Sequence, residues 1–235
     1  MNPPTPRLIA LLGLVLATGA CSMWPFRDEA APAPAVAVAA DDAHALFQRV
    51  AALCGKAYLG RVVADIPENA ADPYSGRALV MHVRECSPRE IRIPFHVGSD
   101  RSRTWVLSPH GHALRLKHDH RNADGSADPL SRYGGDSARI EIDADHAEAE
   151  FPADAESRSL FRRQGRPEAV QNVWTIELDS GRRFVYKLAR PGRLFRVEFD
   201  LTQPLATPPP PWGASDPAPV APKPKKRAPK AKKPR

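Results

Sequence analysis

Between Arg77 and Leu201 the sequence alternates apolar and polar residues with a period of two, and this alternation constrains the fold more than any other feature. Leu79, Met81 and Val83 oppose Val80, His82 and Arg84. Ile91, Ile93, Phe95 and Val97 oppose Arg92, Pro94 and His96, and Phe195, Val197, Phe199 and Leu201 oppose Arg196, Glu198 and Asp200. Each run reads as a strand with one face on a core and one in water. Turn residues separate the runs, as at Cys86-Ser87-Pro88, Pro109-His110-Gly111, Asp124-Gly125-Ser126 and Pro191-Gly192. A parallel sheet needs crossovers of about a dozen residues between strands, and the spacing leaves no room for them. The expected fold is all-β: nine or ten strands near 57–65, 77–86, 89–97, 103–108, 112–120, 138–142, 146–151, 170–178, 182–189 and 193–200. They form an antiparallel meander closed as a barrel or folded as a sandwich, lipocalin-like in outline. One short helix precedes it, with Leu46, Phe47, Val50 and Leu53 on one stripe after Asp41 and Asp42, and Glu156 to Arg163 is a second short helix.

The flanks read differently. Arg7 and the apolar run Leu8 to Ala17 form a processing segment too short to span a bilayer, and Thr18-Gly19-Ala20-Cys21 resembles a bacterial lipobox. Thr18 stands where that motif usually has an aliphatic residue. The expectation is a signal peptide over 1–20, lipid on Cys21, an Ala/Pro linker over 21–40, a β domain over 41–203 and a basic tail over 204–235. The alternative is a secretory signal with Cys21 left as a thiol. Charge divides along the same boundaries. The chain has 34 Lys and Arg against 27 Asp and Glu, and residues 204–235 hold eight of the former and one of the latter, so the rest is balanced at 26 against 26. A balanced domain excludes a basic nucleic-acid-binding fold. The Pro- and Lys-rich tail is expected to be extended and disordered, with 223–235 meeting an anionic envelope polymer or lipid. Cys54 and Cys86 remain as an even pair in an exported chain, which points to a disulfide; two buried thiols are the alternative.

Several core segments, "LVMHVREC", "IPFHVGSDRSRTWVL", "LRLKHDHRNADGSAD", "YGGD" and "FRVEFDL", resemble an uncharacterised family of bacterial secreted proteins and lipoproteins. The resemblance covers about Cys54 to Leu201. It implies an exported single domain and assigns no activity.

Five of the eight histidines fall between positions 96 and 120. His118 and His120 share the face of a strand that also carries Leu114 and Leu116, while alternation sends Asp119 outward. Two inward imidazoles with Asp124 and Asp128 in the following turn make a candidate site for a divalent metal or a ligand. The alternative is that both rings turn to the rim and cap the loop. Asp124 to Asp128 also resembles a calcium loop, but it lacks alternating oxygen ligands and reads better as a turn. Arg101 and Arg103 beside Trp105 form a second candidate, for an anionic or sugar-like group, against plain pairing with Asp100. No G-x-S-x-G, H-E-x-x-H or Walker loop is present, which lowers the case for an enzyme. The leading reading is a non-enzymatic binding or adaptor lipoprotein of the cell envelope, on the periplasmic face of the outer membrane, with no specific nucleic-acid partner. A lipocalin-like small-ligand carrier and a metal-dependent enzyme using His118 and His120 stand as alternatives.

Overall fold

The computed structural model describes residues 40–68, 73–74 and 76–214. Helix α1 (Ala40–Ala51) carries two acids in its first turn and buries Ala43, Leu46, Phe47 and Val50 on one stripe. It packs against strands β5 (Asp100–His110), β6 (Ala113–His120) and β8 (Arg139–Ile142). Arg49 fastens it further by donating to the carbonyls of Asp143 and His146. Beyond the helix, Cys54 is disulfide-bonded to Cys86 in the short strand β3 (Glu85–Cys86), with the Cα atoms 6.2 Å apart.

The remaining strands are β1 (Ala57–Ile66), β2 (Leu79–His82), β4 (Ile91–Val97), β7 (Tyr133–Asp136), β9 (His146–Pro152), β10 (Val173–Asp179), β11 (Arg183–Arg190) and β12 (Arg193–Leu205). They form one antiparallel sheet in the order β7-β6-β5-β4-β2-β1-β12-β11-β10-β9-β8, with β3 pairing off that path to β4. The first and last strands therefore lie side by side, and hairpins run outward from them in both directions. The two ends of the order, β7 and β8, are consecutive in the chain. Residues 133–142 pair first with β6 and then with β9, so the sheet curls on itself and is barrel-like.

Strand β7 is absent from the strands expected from alternation, because Tyr133-Gly134-Gly135-Asp136 carries no apolar–polar period. Its glycines are required by close approach. Gly134 has φ +150°, and a Cβ there would lie 1.9 Å from the Leu116 carbonyl oxygen; at Gly135 it would lie 1.8 Å from that of Pro152. The backbone of Gly134 is held on its other side by Ser157 of helix α2 (Ala155–Arg163), whose hydroxyl accepts from its N–H at 2.7 Å. Gly135→Ala is expected to cost more than ~3 kcal/mol, since backbone rather than a side-chain tip must give way. Thermal unfolding of the variant checks this, and a melting temperature within a degree or two of the parent would contradict it.

Rings fill the interior. Trp105 stacks on Tyr186 at 4.3 Å between centroids and on Phe95 at 4.9 Å, with Phe184 and Phe199 against it. Trp105, Trp174, Phe95, Phe151, Phe184 and Phe199 are all fully buried. Although aromatic residues make up only 7% of the chain, they are concentrated where the barrel axis runs.

The boundary of the β domain moves. Composition places the tail after residue 203, but β12 continues to Leu205 and residues 206–214 then run as an ordered strap across the outer face of the sheet. The Arg101 guanidinium donates to the Pro210 carbonyl at 2.8 Å, and the Trp212 N–H donates to the Arg101 carbonyl at 3.0 Å. Pro211 is buried. Polyproline suits such a strap, since it has little backbone entropy left to lose.

Candidate binding surface

The strand period places His118 and His120 on the inward side of β6, as their spacing predicts. His118 is buried, and both of its ring nitrogens are engaged. Nδ1 lies 3.2 Å from the Tyr133 carbonyl, which can only accept, so Nδ1 carries the proton. Nε2 therefore accepts from the Tyr186 hydroxyl at 2.7 Å, and Tyr186 is in turn hydrogen-bonded by Trp105. The Tyr133 hydroxyl meets His120 Nε2 at 3.1 Å. This is a closed polar network inside an aromatic core. Burial, first, and the neighbouring His120 lower the His118 pKa to about 3. Burial and then Arg103 lower that of His120 to about 4. Both rings are neutral at pH 7.

The carboxylates do not join them in a metal set. Asp124 accepts from the Ser126 N–H and hydroxyl at 2.9 and 2.7 Å, and Asp128 accepts from the Leu130 N–H. Among the described residues no group of three or more His, Cys, Asp or Glu side chains is placed to hold an ion. The partners that complete the histidine network, Tyr133 and Tyr186, come from β7 and β11; their strands carry no local signal that they face β6. Asp119 lies on the opposite face, between Arg92 at 2.5 Å and Arg121 at 2.9 Å.

Arg101, Arg103 and Trp105 are not gathered into one site. Trp105 is core, Arg101 serves the strap, and Arg103 pairs with Asp100 at 2.5 Å and lies over the Tyr74 ring. The Asp124-Gly125-Ser126 turn has a different use. Gly125 (φ +86°) and Gly213 (φ +79°) meet backbone to backbone, and a Cβ on Gly125 would lie 2.9 Å from the Gly213 Cα. The turn is the seat of the strap. His82 and His96 lie on the outward face of their strands yet are each only 4% exposed, with His82 Nδ1 and His96 Nε2 making no hydrogen bond. Burial and the nearby Arg101 lower the His96 pKa to about 4.

The open surface features lie outside the barrel. Between Tyr58 and Gly60 the β1–β12 register slips: Gly60 faces Phe199 and Tyr58 faces Pro204, so Leu59 alone stands opposite Asp200 to Gln203. This bulge opens a cleft of about 530 Å³ lined by Leu59, Leu205, Arg61, Arg182 and Gln203, among others. A second cleft of about 480 Å³ lies over β4, β5 and β6. Its cations are mostly neutralised: Arg115 by Asp136 at 2.6 Å, Lys117 by Asp154 at 2.7 Å and Arg92 by Asp119. Cys21 and the basic segment 223–235 lie outside the described residues. Comparison with known proteins finds no family model, no curated protein and no solved structure that matches this chain.

Proposed function

We propose that the chain is a membrane-anchored binding or adaptor domain of the cell envelope, held by lipid on Cys21 and touching anionic envelope components through its basic C-terminal segment. The observation that favours binding at the surface over carriage inside is the interior itself. Stacked rings occupy the barrel axis, and the inward histidines are satisfied by tyrosines, so a carried molecule would have to displace both. A metal-dependent reaction at His118 would likewise have to displace the Tyr186 hydroxyl, whose hydrogen bond occupies the Nε2 lone pair. The lipobox-like Thr18-Gly19-Ala20-Cys21 and the charge-balanced domain beside a tail of eight cations support the envelope setting. Labelled palmitate should enter the wild-type chain in its host and be lost in Cys21→Ala. An unlabelled wild-type protein recovered entirely in the soluble fraction would refute the anchor.

A further inference from the structure

Among the described residues, four large apolar side chains are exposed: Leu59 (53%), Val63 (37%), Ile66 (58%) and Leu205 (41%). All four lie on one strand pair. Leu59, Arg61 and Val63 are the exposed positions of β1 at a spacing of two, and Leu205 is paired with Ala57, two residues before Leu59. Cross-strand partners share a face, so Leu205 and Leu59 are neighbours on the outside of the sheet, and both line the β1–β12 cleft. Exposed apolar residues scattered singly need no explanation, but a row along one strand does.

Cations flank this row. Arg182 is exposed and has no side-chain partner among the described residues. The Arg61 side chain is 77% exposed, and its ion pair is with Glu198, which Arg183 and Arg196 also contact. An apolar row edged by arginines matches a surface that is apolar below and anionic above, as a phospholipid layer is. The N-terminal sequence puts such a layer within reach. Eighteen residues separate Cys21 from Ala40, and an Ala/Pro spacer of that length reaches at most ~60 Å, enough for the domain to turn either side toward its anchor.

We infer that the outer face of the β1–β12 pair is a membrane-docking face, on which Leu59, Val63, Ile66 and Leu205 enter the interfacial layer of an anionic bilayer while Arg61 and Arg182 contact lipid phosphates. This rests on the reading that the chain works at a membrane, and it concerns the domain rather than the lipid anchor. The test therefore uses the full chain with Cys21→Ser and sedimentation with phosphatidylethanolamine–phosphatidylglycerol vesicles. Binding is measured at low salt and at roughly 0.5 M salt, where attraction of the basic tail is largely screened. Parent binding should persist at high salt, and Leu59→Ser/Ile66→Ser should weaken it about tenfold without changing the melting temperature. Truncation after Ala214 should lower only the low-salt binding. In the chain truncated after Ala214, where the basic tail no longer contributes, Arg61→Ala/Arg182→Ala should remove the low-salt preference over phosphatidylcholine vesicles. A serine variant that binds as the parent does would overturn the inference, as would a parent that leaves the vesicles at high salt. So would gel filtration showing the row buried in a dimer that the serine substitutions split. Palmitate labelling reads Cys21 independently, so loss of the docking face and loss of the anchor are separable results.

Discussion

A chain ending at Leu205 is expected to melt roughly 10 °C below one ending at Ala214, while truncation at Ala214 leaves the melting temperature of the full chain unchanged. The shorter truncation removes the strap. It breaks the Trp212 N–H to Arg101 carbonyl bond and strips the Arg101 guanidinium of the Pro210 carbonyl, one neutral and one charge-assisted hydrogen bond. It also uncovers the surface against Pro211 and the Gly125–Gly213 contact. The two hydrogen bonds contribute about 1 and about 2 kcal/mol, and a domain of this size shifts by about 2–4 °C per kcal/mol. The burial lost with Pro211 adds to that. His96 lies close enough to Arg101 for its titration to respond to that charge, so removing the strap also disturbs the shell around a buried imidazole. Equal melting temperatures for the two truncations would mean that the strap lies on the sheet without stabilising it. The comparison also separates two roles that composition merges, since the cations at 223–235 lie beyond Ala214 and are removed by both.

Where the sequence could be read and where it could not follows from how local each determinant is. Period-two alternation is a property of one strand, and it located ten strands to within a few residues. The Cys54–Cys86 bridge was also open to reading, because a chain expected to be exported, with Cys21 set aside for lipid, keeps a single pair. Side-chain direction on β6 was also legible: His118 and His120 point inward and Asp119 outward. What they touch was not, because Tyr133 and Tyr186 reach them through the register of β7 and the curl that brings β11 across. Arg103 and Trp105 have the same parity on β5, yet one meets Asp100 near the strand end and the other lies among rings at its middle, a difference that alternation does not encode. Two segments escape alternation for a shared reason. Gly134-Gly135 interrupts the apolar period and Pro208 to Pro211 reads as disordered tail, because both compositions are usually explained by local freedom. Here each is needed by a neighbour: the glycines by the carbonyls of Leu116 and Pro152, and the prolines by an outer face that the strap crosses. The apolar row on β1 was hidden as well. Leu59, Val63 and Ile66 sit among apolar residues at nearly every position of the strand, and only the register slip against β12 decides which of them are covered.

Stability should fall steeply as the pH drops from about 6.5 to 4.5, before the carboxylates contribute. His118 and His96 titrate at about 3 and about 4 in the folded chain, against 6.5 for a free imidazole, because burial disfavours the charged ring. Between those values the unfolded chain binds protons that the folded chain refuses, so unfolding gains free energy with every step toward acid. At about 1.4 kcal/mol per pH unit, each of these rings removes roughly 2 kcal/mol by pH 5. His120, lowered to about 4, acts in the same direction. The ion-paired carboxylates of Asp100, Asp119 and Asp136 are held below their usual range by Ser102 and Arg103, by Arg121 and Arg92, and by Arg115 respectively. Their stabilisation is present above the unfolded value of 3.8 and is lost only as the pH falls below it, so the two contributions occupy separate windows. Thermal unfolding at pH 7.5 and pH 5 reads the first window alone. A flat profile there would show that the imidazoles are not buried as neutral rings. His96→Gln offers the sharper check: it removes one titrating ring whose Nε2 makes no hydrogen bond and leaves the Trp105–Tyr186–His118–Tyr133 network intact. The variant should lose less stability than the parent between the two pH values, by about 2 kcal/mol. An unchanged slope would place the acid sensitivity elsewhere in the domain.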